Sequence, residues 1–85
     1  MDTTSDIKVG QIVRSKAGRD KGNIFLVVDI IDDKYVKVAD GDKRRVDSPK
    51  KKKIKHLAVF KTVVDEYIKK INNKEKVSNV FIRKM

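Results

Sequence analysis

The chain has 85 residues and no Cys, and its 22 Lys and Arg against 12 Asp and Glu give a formal net charge of +10. That length holds one domain around a single modest core. Without Cys there is no disulfide framework, thiolate zinc site or thiol nucleophile, and so large a cationic excess on so short a chain points to a polyanionic partner.

Residues 1–6, Met-Asp-Thr-Thr-Ser-Asp, are acidic and polar and predict a flexible N-terminus with no secretory leader. No apolar run approaches the roughly 18 residues that would cross a bilayer, so a soluble, cytoplasmic protein is expected. From position 9 to about 60, short apolar bursts alternate with turn chemistry, the pattern of an all-β barrel or sandwich. Residues 11–16 form a first strand candidate. It ends in Ala17-Gly18-Arg19-Asp20-Lys21-Gly22, where Gly18 and Gly22 permit the positive φ of a tight turn. Residues 24–31 are β-branched and apolar on both faces, so a helix is expected to cover the face turned away from the barrel core. Asp32-Asp33 makes a turn. Residues 35–40 then alternate, with Val36 and Val38 on one side and Lys37 on the other.

Asp40-Gly41 is a two-residue hairpin signal and predicts a short basic strand over residues 43–47. Ser48-Pro49 breaks it, the lysines at 50–53 read as the loop that follows, and residues 55–60 form the last strand. Beyond Phe60 the period changes. Val63, Val64, Tyr67, Ile68 and Ile71 recur at helical spacing, with Thr62 as the expected N-cap. Asn72-Asn73-Lys74 ends that helix. Ser78 is placed to cap a second, over residues 79–84, with Val80 and Phe81 docking on the barrel. The expected organisation is therefore residues 1–6 flexible, 7–60 barrel, and 61–85 a helical extension packed on it.

Charge is concentrated. Residues 43–56 carry Lys43, Arg44, Arg45, Lys50, Lys51, Lys52, Lys53 and Lys55 against Asp47, which is +7 of the +10 in fourteen residues. A short charge run is usually a solvated face, but concentration on this scale is self-repelling and favours contact with nucleic acid. Arg14, Lys16, Arg19 and Lys21 form a second cluster on the first strand and its glycine loop, where exposed N–H groups also suit phosphate oxygens. Among the aromatics only Tyr35, on the half-exposed strand, is placed to stack on a base.

Val9-Gly10-Gln11-Ile12-Val13-Arg14-Ser15-Lys16-Ala17-Gly18-Arg19-Asp20-Lys21-Gly22, followed by the apolar residues 24–30, resembles a KOW motif. It has the Gly-x-x-Val opening and the Gly-basic-Asp-Lys-Gly turn. The likeness continues through Val38-Ala39-Asp40-Gly41-Asp42-Lys43-Arg44-Arg45-Val46 and Pro-Lys-Lys-Lys-x-x-Lys-His-Leu at Pro49 to Leu57. Over residues 7 to 60 the chain is most similar to large-subunit ribosomal protein 14 of the archaeal and eukaryotic type and its short bacterial relatives. Ser15 and Lys16 stand where KOW motifs often carry aliphatics, and Phe25 where many have a second glycine. The resemblance implies a mostly β fold, an SH3-like (KOW) barrel of about five strands followed by one or two short C-terminal helices. It also implies binding of ribosomal RNA in the large subunit.

The expected contacts are Arg14, Lys16, Arg19, Lys21, Lys43, Arg44, Arg45, Lys50, Lys51, Lys52, Lys53, Lys55 and His56, with Gly18, Gly22 and Gly41 as structural turn residues. Lysine is a point charge, so RNA shape rather than base sequence would be read. One His, no Cys and no nucleophile motif argue against catalysis, and His56 reads as a strand residue or RNA contact. Turns account for Asp29, Asp32, Asp33, Asp40 and Asp42, so no metal, cofactor or small-molecule substrate is expected. The protein is expected to be monomeric when free. From a different class, the barrel or the first helix could dock an acidic protein such as a transcription or ribosome-associated factor; an exposed apolar groove between barrel and helix would favour that reading. Membrane binding is disfavoured, because the lysine run lacks interleaved apolar residues.

Overall fold

Residues 24–30 must bury apolar side chains on both sides, and the chain supplies a different cover for each. The computed structural model describes residues 7–84; the flexible segment expected at residues 1–6 lies outside them. Five antiparallel strands, β1 (Gln11–Ser15), β2 (Ile24–Ile30), β3 (Tyr35–Ala39), β4 (Lys50–Lys53) and β5 (Leu57–Val63), form one sheet in the order β4-β3-β2-β1-β5. A 3-10 turn, Ile54–His56, joins the two edge strands, and helices α1 (Asp65–Asn72) and α2 (Asn79–Arg83) follow. This is the expected SH3-like barrel with short C-terminal helices.

Val13, Phe25, Val27, Val36, Val38, Ile54 and Leu57 close the barrel interior together with Ile7. The opposite face of the sheet offers Leu26 and Ala39, which pack against Tyr67 of α1 and Ile82 of α2. The helices thus take the Leu26 side, while Phe25 and Val27 belong to the inner core. Burying a side chain the size of Leu26 or Phe25 contributes roughly 2–3 kcal/mol. An irregularity in the β2–β3 register between Val27 and Asp29 makes the double use possible. The extra residue, Val28, shifts the parity of β2, so Ile30 turns back to the inner core and Asp29 turns out.

Several expectations change in detail. Residues 43–47 do not form a strand. The Asp40 carboxylate accepts from the Asp42 and Arg44 amides at 2.9 Å each, and the Asp40 and Gly41 amides both donate to the Arg44 carbonyl. The chain is thereby closed into a loop before a ladder can start. The lysine run is itself the fourth strand, β4, pairing Lys50 with Val38 and Lys52 with Val36. β5 extends to Val63, past the expected boundary at residue 60. Thr62 is therefore a strand residue, and Val64 stands at the start of α1 with no side-chain cap. Lys55 and His56 lie in the 3-10 turn rather than in the last strand. Ser78 does cap α2, its Oγ accepting from the Phe81 amide; Phe81 packs partly against the sheet as expected, but the residue α2 buries is Ile82, and Val80 is 46% exposed.

The basic loop is braced by α2. The Val46 amide donates to Asn79 Oδ1 at 2.7 Å, and Gly41, at φ +80°, lies so close to α2 that a Cβ there would collide with the Asn79 carbonyl oxygen and touch Arg83. Gly41→Ala combines that collision with a left-handed backbone conformation that disfavours Ala by about 1–2 kcal/mol. The expected result is a loss of at least about 2 kcal/mol in urea unfolding, with the Ile82 methyl resonances moving toward solvent-exposed positions.

Candidate nucleic-acid interface

In a strand successive side chains point to opposite sides, so a run of four lysines cannot act as one patch. β4 divides it. Lys50 and Lys52 share the inner side with Val38 and Val36, whereas Lys51 and Lys53 share the outer side with Lys37 and Tyr35.

The inner pair is tied to the glycine loop. Lys52 is 7% exposed; its Nζ donates to Asp20 Oδ1 at 2.9 Å and to the Ala17 carbonyl at 3.1 Å. Lys50 Nζ donates to Asp20 Oδ2 at 3.0 Å. Ser15 Oγ, buried on β1, lies within hydrogen-bond reach of Asp20 Oδ1 (2.8 Å) and the Ala17 carbonyl (2.9 Å), which accounts for a hydroxyl where an aliphatic residue was the norm. Burial by itself would raise the Asp20 pKa, but hydrogen bonds from Lys52, Lys50 and Ser15 and the charge of Lys52 outweigh it and hold the carboxyl well below the usual carboxylate range. Gly18 and Gly22, at φ +84° and +90°, turn the chain at either side of Asp20. Lys50 and Lys52 were expected to meet phosphates; Lys52 is instead a buried structural cation, and Lys50 shares its carboxylate.

The two basic clusters of the sequence meet in space. A cleft of about 400 Å³ is lined by Arg19, Asp20 and Asn23 from the loop and by Lys43, Arg44 and Lys50 from the other segment. Asp20 is already matched by two lysines. Arg19, Lys43 and Arg44 are exposed and have no ion-pair partner among the described residues. Arg45 makes only a long, exposed contact with Asp47, at 3.8 Å, and such pairs hold little energy. Lys21 is exposed on the same loop.

The remaining expected contacts lie elsewhere. Arg14 is exposed on β1, in register with Ile24 and Ala58. Lys16 leaves β1 with its amide bonded to the His56 carbonyl, so Lys16, Lys55 and His56 sit near the 3-10 turn. Lys37 was not among the expected contacts; its register with Lys51 places it on the outer cationic face, and its position in the alternating strand was the available signal.

No family model matches the chain. A protein of Bacillus subtilis (strain 168) named "Putative ribosome-binding protein YbzG" is 38% identical to it over 73 residues, covering 86% of this chain and 99% of the relative. The chain belongs to the YbzG family. The match runs nearly end to end along the relative, so the likeness to YbzG spans most of the barrel-and-helix unit rather than one motif. Among the described residues of this YbzG relative, no helix is long and apolar enough to cross a membrane.

Asp20→Asn removes the charge that matches Lys50 and Lys52. It should destabilise the fold by roughly 3 kcal/mol, the scale for breaking a buried pair from one side, read as a fall in Tm of more than about 10 °C. The folded-state pKa of Asp20 lies below its unfolded value. Its contribution is therefore complete above about pH 5 and is lost as the pH falls below about 4. Thermal melts of the wild type should show that acid limb, and melts of Asp20→Asn should show less of it.

Proposed function

We propose that this protein is a non-catalytic, ribosome-associated RNA-binding module that grips the ribose-phosphate backbone of ribosomal RNA in the cleft between the glycine loop and the 43–50 segment. The observation that carries this reading is the convergence of Arg19, Lys43 and Arg44 on one concave site whose lining carboxylate, Asp20, is already matched by Lys50 and Lys52. The net charge of +10 and the printed name of the B. subtilis relative support it. The KOW likeness points to the same chemistry. The reading carries with it a cytoplasmic location, where a ribosome-associated protein works. Arginine and lysine at the cleft meet phosphate oxygens, and Arg19 and Arg44 offer the planar fork suited to bidentate contact.

Full-length protein should co-sediment with ribosomes or a ribosomal subunit in low-salt gradients of cell lysate. If about five phosphates are neutralised, the log–log salt dependence of RNA binding has a slope near −4. The triple substitution Arg19→Gln, Lys43→Gln and Arg44→Gln should reduce it to about −2 with Tm little changed. An unchanged slope defeats the cleft as the site. Lys52→Gln should do the opposite, lowering Tm while leaving the slope near its wild-type value.

A second reading rests on a second concavity. Ile12 of β1, Val64 and Phe81 line a mostly apolar groove of about 630 Å³ where the end of β5 and α1 face α2. Asp65 and Glu66 stand on its rim beside Lys84, so the groove suits a protein segment with an apolar side chain next to a Lys or Arg, rather than the acidic partner expected from overall charge. Charge reversal separates the two readings. Asp65→Lys with Glu66→Lys should weaken ribosome association about tenfold if a basic protein segment docks there, and should leave it unchanged or tighter if RNA contact alone holds the complex.

A further inference from the structure

The outer side of β3 and β4 has an arrangement that the cleft does not use. Tyr35 is half-buried, its ring projecting from a row that the register extends to Lys53, while the next row pairs Lys37 with Lys51. Lys51 Nζ stands 4.4 Å from the ring centroid and Lys53 Nζ 5.9 Å from it. One ammonium would satisfy the ring's quadrupole; two beside one tyrosine, with a third cation one row away, repel each other in the absence of an anion. None of Lys37, Lys51 and Lys53 has an ion-pair partner among the described residues. Asp29, across from Lys37 on β2, is in register with this face, and its side chain accepts from the neighbouring Ile30 amide.

We propose that this face is a second RNA contact that takes an unpaired nucleotide, the base stacking on Tyr35 and the flanking phosphates meeting Lys53 on one side and the Lys37–Lys51 row on the other. The inference rests on reading the chain as an RNA-binding protein, and it adds single-stranded RNA as the class of ligand. In free protein Lys51 occupies the ring face. A cation–π contact at an exposed site is weak, so an arriving base displaces the ammonium, which moves outward to a phosphate and keeps its charge paired. The two rows are roughly 7 Å apart, twice the rise of a strand, which lets successive phosphates reach both. Among the described residues, the two rows that carry the ring hold lysines and no amide or guanidinium fork, so any of the four bases is accepted. The alternation of β4 thus gives one lysine run two duties: Lys50 and Lys52 hold the glycine loop, and Lys51 and Lys53 face the ligand.

The test titrates full-length wild type, Tyr35→Phe, Tyr35→Leu and the cleft variant Arg19→Gln/Lys43→Gln/Arg44→Gln with a short oligoadenylate and with a blunt RNA duplex. Tyr35→Leu should lose about tenfold in affinity for oligoadenylate, the scale of one base–aromatic stack, and bind duplex as wild type does, which also shows that it is folded. Tyr35→Phe keeps the ring and should keep the affinity. The chain has no Trp, and its other tyrosine, Tyr67, is 4% exposed. Oligoadenylate should therefore quench tyrosine emission in the wild type and leave it nearly unchanged in Tyr35→Phe. Equal oligoadenylate affinity of Tyr35→Leu and wild type overturns this inference, and if duplex binding still depends on Arg19, Lys43 and Arg44 the cleft reading stands. Failure of the wild type to bind either RNA overturns both.

Discussion

The Asp20 carboxylate accepts from Lys50 and Lys52 of β4 and from Ser15 of β1, so one negative charge is shared with a residue 32 positions further along the chain. Four consecutive lysines have no apolar side to bury, and the inner two can face inward on the β3–β4 ladder because this partner is waiting. A buried ion pair adds little net stability over a well-packed apolar substitute, but it discriminates between registers. A slip of β4 by one residue would bring Lys51 and Lys53 inward and turn Lys50 and Lys52 out, without changing the composition of either side. Asp20 and the loop carbonyl of Ala17, both held by Lys52, fix the geometry in which alternate lysines point correctly. The outward direction of Lys51 and Lys53, and the position of Arg19 at the cleft, both follow from that arrangement.

A second dependency runs through the helices. β2 is apolar on both sides, and the unit is complete only when Tyr67 and Ile82 cover Leu26 and Ala39. The Tyr67 hydroxyl shares this setting: burial raises its pKa and the nearby charge of Asp29 raises it further, so it stays protonated. The same α2 that covers the sheet carries Asn79 to the Val46 amide and closes over Gly41. Sheet packing and the shape of the basic loop are thus coupled through a helix of five residues.

Much of this was legible from local pattern. The alternation of Val36, Lys37 and Val38, the two-sided run at 24–30, the glycines around Asp20 and the Ser78 cap each depend on neighbours within a few residues, and each led to the right element. The lysine run did not, since identical residues have no period, and the partner that makes Lys50–Lys53 a strand lies thirty residues upstream. Asp40-Gly41 suggested a hairpin because the motif is local, whereas the Asp40 side chain captured the following amides and Asn79 captured Val46 from far along the chain. Thr62 was taken for a cap because β5 departs from regular pairing: Gln11 faces Val63 while Val13 faces Val59, with the Gln11 side chain donating to the Phe60 carbonyl at 2.8 Å to hold that irregularity. As for the site, both basic clusters were visible as chemistry. Their meeting in one cleft, and the division of the lysines into inner and outer pairs, came from pairings of long sequence separation.

The bond from the Val46 amide to Asn79 spans 33 positions, and a growing polypeptide emerges in order from its N-terminal side. During synthesis, therefore, the strands of the barrel are available to one another before the brace for the arginine-bearing loop exists. A nascent chain that has paired β1 to β5 still carries Lys43, Arg44 and Arg45 on a loop closed by Asp40 but lacking its brace from α2. The cationic surface acquires its final shape last, when the Asn79 side chain reaches the loop, so a barrel halted before that point would hold its inner core but leave the outer sheet face half covered and the loop unbraced.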